Sequence, residues 1–341
     1  MTGDAATWSS AGVLRRLQEL GAELTASTGP GSVADHAMGE ALTGFLDRIV
    51  GRGSGPAVDG IVRLPFLVHG MYSGEPAAAE PAAMAHVLWW VSARYLDDLS
   101  DAGPAAFTAS DTHTDADRGM LAAVGIACHL SAAVLDQACR DDPARALMLR
   151  QELSRCWHRA ISGQLIDLTT PAVTATAEAV LAGYRGKTGA PYAMAAAMGA
   201  ALAGCDPAQV DLLRDFGERF GVLRQVVNDQ RDIASRRYED LRNGTATYMV
   251  VRYLESLSGR ERGVAEKLFV GCADSAVARD EFAARLTEPA WLRAFAGIVK
   301  PLIDGLHATV DGVGGMAEYA AGLHGLIEET VNLYPEFLMG R

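Results

Sequence analysis

Apolar residues return every three or four positions along nearly the whole chain, and that period most narrowly limits its fold. "VLRRLQELGAEL" sets Val13, Leu17, Leu20 and Leu24 on one stripe, the pattern of an amphipathic helix. The run "PAAMAHVLWWVSARYLDDLSD" opens on Pro81, a residue suited to a first helical turn, and continues without a breaker. Residues 120–140, 146–168, 192–204 and 210–233 read the same way. Strand-like alternation is hard to find, and several runs are apolar all round. The prediction is an all-α fold with central, buried helices. Gly- and Pro-bearing connectors are expected at residues 51–60, 103–117 and 204–207, and no internal repeat is seen. Residues 1–30 are expected to form a loosely attached arm before one helical domain over residues 31–341.

With 341 residues, 49% of them hydrophobic, the chain can bury a large core. Its net charge of −12 excludes nucleic acid as a natural partner, because phosphates favour basic surfaces. The five cysteines (Cys128, Cys139, Cys156, Cys205 and Cys272) are scattered and form no CxxC pair. They read as reduced core residues of a cytoplasmic protein. The N-terminus lacks a basic start followed by an apolar stretch, and no uninterrupted apolar segment is long enough to cross a bilayer. The expectation is a cytoplasmic protein that does not span a membrane.

Against this apolar background, "WWVSARYLDDLSDAG" places three acids within five residues. Crowded carboxylates disfavour one another's ionisation unless a cation or solvent offsets the repulsion. In a helix Asp97 and Asp101 project from one face a turn apart, with Asp98 beside them. Such a pair suits a hard divalent cation, although a solvated helix end would look the same. A second cluster, "RQVVNDQRDIASRRYEDLRNG", sets Asn228 and Asp232 at the same spacing around Asp229. Two clusters of this kind could grip a diphosphate through bridging Mg2+. Lys187, Arg236 and Arg237 would complete the grip.

Five elements in order resemble the trans-isoprenyl diphosphate synthases and the class I terpene synthases that share their fold. "DDLSD" resembles the first aspartate-rich motif, and "GQLIDL" (Gly163 to Leu168) the GQxxDL element. "GKTGAPY" is similar to the Lys-Thr element, "RQVVNDQRD" to the second motif, and "EDLRNGTATYMV" to the DLxxGKxTLP segment. The resemblance implies an isoprenoid-synthase-type helical barrel around a deep apolar cavity, acting as a homodimer. It implies an allylic prenyl diphosphate substrate and three Mg2+ ions, held by Asp97, Asp98, Asp101, Asn228, Asp229 and Asp232. Asp97, Asp101, Asp229, Asp232 and Lys187 would carry catalysis. Gln164, Lys187, Gln225, Arg236 and Arg237 would bind substrate.

The chain departs from chain-elongating members where they hold the second diphosphate, that of isopentenyl diphosphate. In "DGIVRLPF", Gly60, Arg63 and Pro65 match GKxxRP, but Ile61 occupies the lysine position. No arginine follows "DDLSD" until Arg118, and Thr245 stands where a GK lysine is expected. Trp90 lies two helical turns before Asp97, where elongating members generally place a histidine, and its π face could stabilise a carbocation. Trp89, in the angular sector of Ser92 and Ala93, is expected at the floor of the pocket, fitting a C15 or C20 chain. The first reading is therefore a terpene synthase that ionises the diphosphate and lets the cation cyclise or rearrange; Asn228 also fits the start of a cyclase metal motif. The alternative is a prenyltransferase, elongating with isopentenyl diphosphate or alkylating another acceptor. A non-catalytic partner subunit is the third, disfavoured because the aspartates are kept.

Overall fold

A computed structural model describes the backbone of residues 9–51, 55–102 and 112–339, and the side chains of residues 9–48, 60–99 and 117–339. Among them there are helices and turns but no strand. The helices are α1 (Ser10–Thr25), α2 (Ser32–Gly51), α3 (Gly55–Ser73), α4 (Glu80–Ala102), α5 (Thr112–Val124) and α6 (Ser131–Ala138). They continue as α7 (Pro143–Thr169), α8 (Ala177–Tyr184), α9 (Ala190–Leu202), α10 (Pro207–Ala234), α11 (Glu239–Asn243) and α12 (Tyr248–Ser256). The last five are α13 (Gly259–Gly271), α14 (Ala276–Leu286), α15 (Pro289–Val313), α16 (Ala317–Val331) and α17 (Pro335–Leu338).

The chain divides into two compact units. The first comprises Met1–Ser154, Met194–Arg214 and Gly315–Tyr319; the second comprises Arg155–Ala193, Asp215–Gly314 and Ala320–Arg341. A single domain was the sequence expectation. In the first unit α1 packs along α2, burying Val13, Leu17 and Gly21. Ser9 caps it by accepting the Gly12 N–H at 3.2 Å. Most of the expected loose arm is thus a docked helix, because its apolar stripe finds a partner. Residues 55–60 and 112–117, expected in connectors, are helical; residues 103–111 of the second connector lie outside the described residues.

Pro65 sits inside α3 and has no N–H to give to the carbonyl of Ile61. The structure fills that vacancy from α4. Buried His86 lies with Nδ1 2.9 Å from the Ile61 carbonyl, so the proline leads to a link between two helices.

Among the described residues one helical stretch, Asp117–Ala138, is long and apolar enough for a membrane span, with a mean hydropathy of 1.6 over its most apolar 18 residues. It is not an uninterrupted apolar run, because Arg118, His129 and Asp136 lie within it. It runs through α5, a π-helical turn at Gly125–Leu130 and α6, and packs against α2 and α4. Its buried residues include Ala123, Ile126, Ala127 and Leu130. The hydropathy is that of a helix feeding a core on one side.

In the second unit, α12, α14 and α15 share an aromatic cluster. Tyr253 meets Phe282 at 5.8 Å and Trp291 at 5.3 Å, both edge-on, a favoured geometry for aromatic pairs. Thr247 and Ser275 cap α12 and α14 by accepting N–H groups at 3.3 and 3.2 Å.

Candidate active site

In the first unit, α4 carries the first acidic cluster at its C-terminal end. Val87, Leu88, Trp89 and Val91 are buried, whereas Asp97 is half-buried and Asp98 exposed. Arg94, one turn earlier, donates from Nε to Asp98 Oδ1 at 3.1 Å. The side chain of Asp101 lies outside the described residues. Trp90 and Ala93 are half-buried. Ser92 is fully buried and its hydroxyl donates to the Leu88 carbonyl at 2.8 Å, within its own helix. On α3, Arg63 is half-buried, but Ile61 is only 1% exposed. The position at which a lysine was expected is therefore core.

In the second unit, a π-helical turn, Arg185–Gly189, joins α8 to α9 and carries Lys187. Extra residues in a helix of this kind re-aim side chains and recur at functional sites. The turn can lie against α7 because Gly163 has no side chain: a Cβ there would fall 2.2 Å from the Lys187 nitrogen. One turn after Gly163, Asp167 accepts from Lys187 Nζ at 2.8 Å. Gln164 is half-buried on α7. The adjacent Thr188 hydroxyl donates to Gln225 Oε1 on α10. Gln225 Nε2 in turn donates to Asp229 Oδ1 at 2.9 Å. The Lys-Thr element thus reaches the GQxxDL element through Lys187 and the second acidic cluster through Thr188.

That cluster is arranged differently from the simple metal clasp its spacing suggests. Asn228 is exposed, but Asp229 is 5% and Asp232 2% exposed. Asp229 Oδ2 accepts from the Tyr184 hydroxyl, whose oxygen accepts the Tyr248 N–H at 2.8 Å. Burial, then the nearby Asp240, pushes the Asp229 carboxyl well above the usual carboxylate range, against the lowering influence of the Tyr184 and Gln225 hydrogen bonds. Asp232 accepts the Glu239 N–H on Oδ1 at 2.9 Å and the Asp240 N–H on Oδ2 at 3.1 Å. Between these anchors Arg236 and Tyr238 hold left-handed backbone, with φ of 57° and 54°, at a cost of about 1–2 kcal/mol each for a residue with a Cβ. Arg236 and Arg237 are exposed, and Arg237 Nε lies 3.7 Å from Asp232 Oδ1.

Among the described residues, no three His, Cys, Asp or Glu side chains gather as a metal-holding group. The donor chemistry that suits Mg2+ is the paired carboxylates of α4, with Asp97 partly open to solvent. The second cluster offers only the Asn228 carboxamide on an exposed side chain.

Three participants escaped the sequence reading. Asp167 stands in a quoted motif, yet only the fold shows it paired with Lys187. Tyr184 and His86 gave one faint signal each: a phenol three residues before a lysine, and a carbonyl four residues before a proline.

Residues 112–280 match the polyprenyl synthetase family model. A geranylgeranyl diphosphate synthase of Sulfolobus acidocaldarius is 28% identical over 88 residues; the match covers 24% of this chain and 27% of that protein. The polyprenyl synthetase structure from Streptomyces coelicolor A3(2) superposes with a TM-score of 0.75, covering 96% of this chain and 99% of that one at 19% identity. A geranylgeranyl pyrophosphate synthase from Corynebacterium glutamicum, complexed with isoprenyl diphosphate and magnesium, superposes with a TM-score of 0.73 at 18% identity. That match covers 96% and 99% of the two chains. Identities this low establish the fold alone. The chain has the all-helical fold of these prenyl synthases, and its residues 112–280 match the polyprenyl synthetase family.

Proposed function

We propose that the protein is a Mg2+-dependent prenyltransferase that ionises an allylic prenyl diphosphate and joins the cation to an acceptor. The observation that carries this is the chain of contacts from Asp167 and Lys187 through Thr188 to Gln225, within the region that matches the polyprenyl synthetase model. Lys187, on its π-turn, offers an ammonium to the diphosphate, and Asp167 holds that ammonium in place until substrate arrives. Arg236 and Arg237 supply further positive charge, and Gln225 lines the approach. Asp97 and Asp101 would hold Mg2+, which when bound offsets the charge of the departing diphosphate. The C–O bond breaks with its electron pair on the diphosphate; an acceptor alkene then attacks and loses a proton. Trp90, half-buried two turns before Asp97, would present its ring to the cation. A homodimer belongs to the same proposal. The exposed apolar residues Ile161, Leu165 and Leu168, on one face of α7, support it.

A second reading, cyclisation of the cation with no acceptor, is favoured by one observation. Ile61 is buried where elongating members need a lysine, so this position adds no charge for a second diphosphate. Incubation with Mg2+ and geranyl, farnesyl or geranylgeranyl diphosphate, with and without isopentenyl diphosphate, separates the two readings by mass spectrometry of the products. A longer diphosphate formed only with the second substrate is the expected result. A hydrocarbon or alcohol formed without it would establish the cyclase. Either activity should fall at least about a hundredfold in Asp97→Ala; full turnover in that variant would refute both readings.

A further inference from the structure

The connection between α10 and α12 is held at both ends by two carboxylates three residues apart on α10. At its start, both oxygens of Asp232 accept backbone N–H groups, those of Glu239 and Asp240, and the Asp232 carbonyl accepts the Tyr238 N–H at 3.4 Å. At its end, Asp229 receives the Tyr184 hydroxyl, and Tyr184 receives the N–H of Tyr248, the first residue of α12. Each carboxylate oxygen retains a lone pair. Even so, at 5% and 2% exposure neither residue has room for a cation that must keep several waters. The segment so held contains Arg236 and Tyr238 in left-handed backbone on either side of Arg237. Residues with a Cβ stay in that conformation only where surrounding bonds impose it.

We propose that Asp229 and Asp232 are positioning residues rather than metal ligands: they hold this connection so that Arg236 and Arg237 are presented to the diphosphate. The part concerning diphosphate rests on the functional reading given above; the two-ended clamp does not.

Two measurements on the full chain test it. In the first, without ligand, amide hydrogen exchange is followed in Asp232→Asn, which keeps the shape but loses one acceptor oxygen. Exchange at Glu239 and Asp240 should quicken by about tenfold or more while Tyr248 stays protected. In Tyr184→Phe the pattern should reverse, and that variant keeps the clamp testable if changes at Asp229 itself prevent folding. Unchanged protection in both variants would overturn the clamp.

The second measurement is calorimetric binding of inorganic pyrophosphate with Mg2+. Asp232→Asn should weaken it about tenfold at saturating Mg2+, and adding Arg236→Gln and Arg237→Gln should weaken it little further. A loss restored by raising Mg2+ would make Asp232 a ligand and overturn the proposal; fully additive losses would overturn it too. Wild-type protein that binds no pyrophosphate would refute the diphosphate reading, while the exchange pattern would still judge the clamp.

Discussion

His69 shows how one buried side chain ties stability to pH. It is 3% exposed on α3, with Nδ1 2.8 Å from Ser73 Oγ, and burial lowers its pKa from the ordinary value of 6.5. The folded protein therefore resists a proton that the unfolded chain accepts. Stability is fully present above pH 6.5 and falls as pH drops toward the folded-state value, at up to about 1.4 kcal/mol per pH unit for this single proton. Thermal melts between pH 7.5 and 5.5 should show the decline, and His69→Gln should flatten it. An equal slope in the variant would assign the effect to other groups. Individual roles such as this were the least legible part of the sequence. Spacing correctly placed Asp229 and Asp232 on one helix, but it does not show which N–H groups a carboxylate will meet once the chain turns back. The same limit hid the link from His86 to Ile61, although Pro65 announced the unpaired carbonyl.

At the scale of elements, legibility was higher because helices announce themselves through repetition. The run from Pro81 to Asp101 is α4 within a residue at each end, and the connector at residues 204–207 falls between α9 and α10. The boundaries that failed were read from Gly and Pro content. Such content is only a weak propensity, and residues 55–60 are helical in spite of it. The closeness of α7 to the π-turn was also invisible, since it depends on a missing side chain. Gly163→Ala would place a methyl group against the Lys187 backbone, and the neighbour is not a flexible side-chain end that can swing away. The expected cost is about 2–3 kcal/mol in urea unfolding, with loss of the contact between Lys187 and Asp167. Gly297→Ala on α15, whose new Cβ meets nothing within 4 Å, should instead stabilise by about 0.5–1 kcal/mol. Equal effects at the two sites would mean that helix propensity, and not the close approach, governs Gly163.

For the whole molecule, all-helical architecture was legible from the period alone, and the likeness to prenyl synthases from five ordered motifs. The division into two units was not, because each unit is assembled from segments far apart in sequence. The proposed homodimer should appear in light scattering as a particle of about twice the 36.0 kDa chain mass. A mass equal to one chain at micromolar concentration would refute it. The segmented division has a consequence for partial chains. Each unit draws on three separate stretches, and α7, α9, α10 and α16 begin in one unit and end in the other. A protease nick that removes one end, or a message cut short, thus releases no self-sufficient half. Damage of that kind should abolish the fold outright instead of leaving a working remnant.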